Sequence, residues 1–135
     1  MIFLADYFGP WAGHKDATAQ VKVDAYNFLE KVNGLLDEAF ANLIDLADNP
    51  TTGTLVSGKT YGGFRPQDCP QGAPKSSHKV GRGIDIYDPQ NALDNWITDA
   101  ILERHGLYRE APLSTPRWCH LTDRAPGSGR RTFQP

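Results

Sequence analysis

His78, Asp85 and His120 are the residues of this chain whose types can do chemistry together. Two imidazoles and a carboxylate are the ligand chemistry of a catalytic zinc ion, which takes three side chains and keeps a fourth position open. The first two lie in the run Ser76-Ser77-His78-Lys79-Val80-Gly81-Arg82-Gly83-Ile84-Asp85, around a turn of small residues. Gly81 and Gly83 allow the backbone to fold back tightly, so that both side chains can meet one ion. His120 follows Trp118 late in the chain. Residue types alone leave a plainer reading open: a loop histidine is usually solvated, and an aspartate beside a turn is usually a turn residue.

The elements around these residues are readable from periodicity. Asp16 is placed to cap a long helix running to about Ala47, with Phe28, Leu29, Val32, Leu35, Leu36, Ala39, Phe40, Leu43 and Ile44 on one apolar face. Asp48-Asn49-Pro50 ends it, and Thr54 to Ser57 fits a short strand. Residues 66–77 carry Pro66, Pro70, Pro74 and Gly72 and read as loop. Ile84 to Tyr87 reads as a strand that sends Asp85 and Tyr87 to one face. Asp88-Pro89 suits the start of a second helix, with Leu93, Trp96, Ile97, Ala100 and Ile101 as its buried stripe and Gly106 as its stop. A last strand around Arg117 to Leu121 turns Trp118 and His120 to one face and Arg117, Cys119 and Leu121 to the other. Residues 1–14 read as an irregular arm packed on the body, and residues 124–135 as a tail rich in Gly, Arg and Pro.

The length of 135 residues suits a single domain with one modest core. Fourteen Lys and Arg stand against sixteen Asp and Glu, a formal charge of −2. That balance carries no electrostatic argument for nucleic acid or an anionic membrane. No apolar run approaches the ~20 residues of a transmembrane helix. Met1-Ile2-Phe3-Leu4 lacks a basic leader and is broken by Asp6, so it is not expected to be a signal peptide. Cys69 and Cys119 are too few for a disulfide scaffold; they pair only if close in space, and free thiols are the plainer reading. Cys119 adjoins a candidate ligand, but strand alternation turns it away, as a small buried hydrophobe. His14 and His105 are expected at the surface.

The run from Ser77 through His78, Gly81 and Gly83 to Asp85 resembles the SxHxxGxAxD motif of the M15 zinc peptidases, with Gly83 where that motif usually has Ala. That family includes D-Ala-D-Ala carboxypeptidases and phage L-alanyl-D-glutamate endopeptidases. Trp118-Cys119-His120 resembles its second metal motif, and Gly63-Phe64-Arg65-Pro66 its arginine segment, in family order. The resemblance implies a small α+β domain with an antiparallel sheet and flanking helices. It implies Zn2+ as cofactor, with His78, Asp85 and His120 as ligands. Arg65 would then bind a substrate carbonyl or carboxylate and stabilise the oxyanion, a role that suits a permanently charged guanidinium.

The implied activity is cleavage of a D-amino-acid-containing stem peptide or cross-link of peptidoglycan. Such hydrolysis needs a general base. The family's usual places, three or two residues before the last histidine, hold Arg117 and Trp118 here, and neither accepts a proton near neutral pH. Glu110 and Asp123 are the nearby substitutes, although a solvated carboxylate is the plainer reading of each. The alternative is a catalytically impaired module of the same fold, binding cell wall within a phage virion. The start Asp6-Tyr7-Phe8-Gly9-Pro10-Trp11 and the tail are similar to phage-encoded M15-like proteins. That resemblance implies synthesis in the host cytoplasm and action at the cell wall or periplasm, as an endolysin or a tail component with virion partners. Arg124, Arg130 and Arg131 are either solvated or paired with local carboxylates, or they contact a partner protein or wall phosphate.

Overall fold

In the computed structural model, which describes residues 1–135, the longest periodic stretch becomes helix α2, Ala19–Ala41. It starts later than Asp16 because the Thr18 hydroxyl accepts from Val21 N at 3.2 Å, while Asp16 accepts from Gln67 N in another loop. It ends before Ala47 because Leu43 takes a left-handed φ of 61° and Ile44 N bonds back to Ala39 O, closing the helix as a Schellman-type cap does. Ala25, Phe28, Leu29, Val32, Leu35, Leu36 and Ala39 form its buried face. The N-terminal segment is not irregular: Leu4–Phe8 is a short helix, α1, that buries Tyr7 and Phe8 in the same core.

The sheet is built from β1 (Gly83–Tyr87), β2 (Tyr108–Glu110), β3 (Trp118–Thr122) and β4 (Thr132–Phe133), in the order β1-β3-β2-β4. β3 pairs antiparallel with both β1 and β2, whereas β4 runs parallel to β2. The fold is therefore a small α+β domain, but its sheet is mixed rather than purely antiparallel. The reason lies in the tail. After β3 the chain reverses direction, and β2 already occupies the edge beside β3, so β4 docks on the far side of β2. Arg109 N to Arg131 O and Ala111 N to Phe133 O, both 2.8 Å, hold it there, and the Arg131 guanidinium sits 4.3 Å over the Tyr108 ring.

Two further segments differ from expectation. Thr54 to Ser57 contributes only a single bridge, Val56 to Ile86, at the edge of β1. The Asn49, Thr52 and Thr54 side chains bond to the local backbone, which competes with a regular ladder. The second helix is broken into α3 (Ala92–Trp96) and α4 (Asp99–Arg104) by extended Ile97, and the Thr98 hydroxyl caps the second piece through Ile101 N. Asp88 still caps, but across a turn: its carboxylate accepts from Leu93 N at 3.0 Å and Asp94 N at 2.9 Å. Gly106 ends α4 with φ 68°. No helix is long and apolar enough to cross a membrane.

Candidate metal centre

Strand pleating and register assemble one polar face. In the β1–β3 pair Asp85 stands opposite His120 and Tyr87 opposite Trp118. The β2–β3 pairing sets Arg109 against Leu121, and the next step of that register brings Glu110 beside His120. Glu110, His120 and Asp85 therefore form a row across three adjacent strands, all pointing into one cleft of about 550 Å³. The alternate positions of β3 turn the other way: Cys119 and Leu121 are fully buried in the core.

His78 reaches this row from a 3-10 turn, Ser77–Val80, packed against β1. Ser76 caps the turn, and Gly81 closes it with φ 76°, a conformation that favours glycine. Gly83 matters for a different reason: a Cβ there would collide with Ser77 Oγ and lie 2.9 Å from His78 N. The backbone of Gly62 and Gly63 completes the support, with Gly62 O accepting from Asp85 N at 2.8 Å and Gly63 O sitting 2.7 Å from His78 Nδ1.

That last contact decides a tautomer. A carbonyl only accepts, so His78 Nδ1 carries the proton and Nε2 presents its lone pair to the cleft. His78 Nε2 lies 3.4 Å and His120 Nδ1 2.8 Å from the same oxygen, Asp85 Oδ1. The other oxygen, Oδ2, accepts from Arg65 Nη2 at 3.2 Å. His120 Nε2 faces Ser77 Oγ at 3.5 Å. All three residues are buried, and their ligating atoms lie within 4.8 Å of one another.

Electrostatics favour ligating forms. Burial pushes the His78 pKa down and so favours neutral imidazole. Burial alone raises the pKa of Asp85, but His78 and His120 outweigh it and hold the carboxyl well below its usual range. Desolvation raises the pKa of Glu110, opposed by His120 and reinforced by Asp85.

The donor set fits a metal ion. Two imidazole nitrogens and one carboxylate oxygen converge at the floor of an open cleft, leaving space for a fourth ligand. His120 Nδ1 lies within hydrogen-bond distance of Asp85 Oδ1; as a metal ligand through Nδ1 it would carry its proton on Nε2, which faces Ser77 Oγ. Ser77 and the Gly63 carbonyl are thus outer partners of the two histidines, and sequence reasoning gave neither a role. The presence of serine beside the histidine was the one available signal.

The remaining expectations sort cleanly. Arg65 lines the cleft, but Nε bonds to Tyr61 O at 2.7 Å and Nη2 to Asp85. Asp123 is not part of the site: Arg82 at 2.6 Å and Lys31 at 3.3 Å hold its nearly buried carboxylate elsewhere. Cys119 interacts with Asp94 on the core side, and burial raises its thiol pKa. Cys69 and Cys119 are both free. His14 and His105 are half-buried rather than fully exposed; His105 Nε2 lies 3.3 Å from Glu38.

Comparison with protein-family models, curated proteins and solved structures finds no match.

Proposed function

We propose that this protein is a zinc-dependent peptidase acting on a D-amino-acid-containing stem peptide or cross-link of peptidoglycan. The observation that carries the hydrolytic reading is the row Glu110–His120–Asp85 on one cleft face, joined by His78. It supplies three ligands, an open side and a carboxylate of raised pKa. The substrate class rests on the resemblance of the Ser77-to-Asp85, Trp118-to-His120 and Gly63-to-Pro66 segments to M15 peptidases.

His78 Nε2, Asp85 Oδ1 and His120 Nδ1 would hold the ion. A zinc ion held there would supply Lewis acidity for the scissile carbonyl and the attacking water. Glu110 accepts the proton from the attacking water and returns it to the departing amine, a role open to a carboxylate that lines the cleft with His120 and Asp85. Arg65 fixes the orientation of Asp85 through Oδ2. Gly63 O and Ser77 Oγ set the protons on the two imidazoles.

The test is digestion of purified peptidoglycan by zinc-loaded protein, read as new free amines and soluble peptides by mass spectrometry. Product that disappears with chelator supports the reading. Wall binding without product would replace it by the non-catalytic wall-binding module.

A further inference from the structure

Arg65 was the sequence's candidate for gripping substrate charge, yet two of its donor nitrogens already serve Tyr61 O and Asp85. The cleft contains a second guanidinium. Arg124 lines it from the turn after β3, and Lys75 lines it from the opposite loop. Arg124 is half-buried. Its backbone N bonds to Thr122 Oγ1 at 3.1 Å, and Nη1 bonds to Lys75 O at 3.1 Å, tying the two rims together. The neighbouring Asp123 anchors the turn through Arg82 and Lys31.

Of the two arginines that line the cleft, Arg65 is ion-paired with Asp85 and Arg124 has no ion-pair partner. Nη1 is bound to a carbonyl, which leaves its charge uncompensated and Nε and Nη2 without a protein acceptor. The charges around the cleft point the same way. Asp85 is matched by Arg65, and Glu110, Lys75 and Arg124 line the same cleft without an ion pair among them. A guanidinium held at a cleft rim with free donors is suited to two-point recognition of a planar carboxylate.

We infer that Arg124, with Lys75 beside it, is a carboxylate-binding subsite that selects peptides carrying a free carboxylate near the cleaved bond. The choice of a peptide as ligand rests on the peptidase reading; the anion preference rests on the cleft itself.

The experiment measures binding of three probes to zinc-loaded protein by calorimetry at 4 °C, with each probe checked intact afterwards. The probes are the peptide L-Ala-γ-D-Glu-L-Lys-D-Ala-D-Ala, the same peptide amidated at the D-Glu α-carboxyl, and the same peptide amidated at its C-terminus. One amidation should weaken binding about tenfold, as expected for loss of a charged hydrogen-bonded pair. Arg124→Gln should bind all three alike while keeping its zinc. Arg124→Lys should retain part of the preference. Equal binding of the three probes by the unmodified protein, no measurable binding of any probe, or an undiminished preference in Arg124→Gln would overturn the inference. Carboxylate-dependent binding without hydrolysis leaves the subsite standing and removes the peptidase reading. Hydrolysis without carboxylate preference does the reverse.

Discussion

Asp85 and His120 face each other directly across the β1–β3 pair, with Asp85 Oδ1 2.8 Å from His120 Nδ1. Two candidate ligands thus sit on adjacent, hydrogen-bonded strands, and only His78 comes from a turn. Sites carried on strands are held more closely than sites carried on loops. That relationship also fixes which neighbours share the cleft, and the predictions follow from it.

Zinc binding should depend on all three residues. The unmodified protein is expected to hold one equivalent at micromolar zinc after dialysis. His78→Ala, Asp85→Asn and His120→Ala should each lose it, as measured by atomic absorption. Retention of one equivalent by any of these variants would remove that residue from the ligand set.

Glu110→Gln should keep its zinc and lose about 10²- to 10⁴-fold in turnover, the usual contribution of a positioned general base. The pH profile carries a sign. Glu110 must be ionised to accept a proton, so turnover should rise with pH along an acid limb as its carboxylate forms, and the limb should vanish in Glu110→Gln. Unchanged turnover in the variant would exclude Glu110 as the base.

Arg65→Ala leaves Asp85 Oδ2 without its charged donor at a site where both side chains are about nine-tenths buried. The zinc-free protein should lose about 1–3 kcal/mol of stability, the range for leaving a buried polar group unmatched. Urea denaturation of the apo-protein reads this directly. An unshifted midpoint would show that the pair adds nothing to the fold.

Gly83→Ala tests the close approach of the 3-10 turn to β1. The added methyl meets Ser77 Oγ and His78 N, so the turn must shift or strain. A stability loss of about 1–3 kcal/mol is expected, as for overpacking, together with weaker zinc binding because His78 rides on that turn. Gly13→Ala is the control, since a Cβ there has nothing within 4 Å. Equal behaviour of the two variants would contradict the packing argument.

Much of this was legible in the residues. The apolar period of Phe28, Leu29, Val32, Leu35 and Leu36 marks α2, and alternation through Ile84, Asp85 and Ile86 marks β1. β2 and β4 were not legible. Each is two or three residues long, too short for alternation to register, and each exists because an edge was available for pairing. Helix ends were missed where caps compete: Asp16 and Thr18 are both good N-cap residues, and the bond from Asp16 to the distant Gln67 leaves Thr18 as the cap.

Taken alone, the sequence determined the donor types, their spacing and the faces of their strands, because pleating alternates side chains whatever the rest of the chain does. It could not place Glu110 or Asp123, two carboxylates of similar local promise. Tertiary structure separated them: strand pairing set Glu110 beside His120, while Arg82 and Lys31 drew Asp123 away. The same folding engaged Arg65 with Asp85 and left Arg124 unpaired at the cleft rim. Charge pairing between residues far apart in sequence is a property of three-dimensional proximity, and no local pattern encodes it.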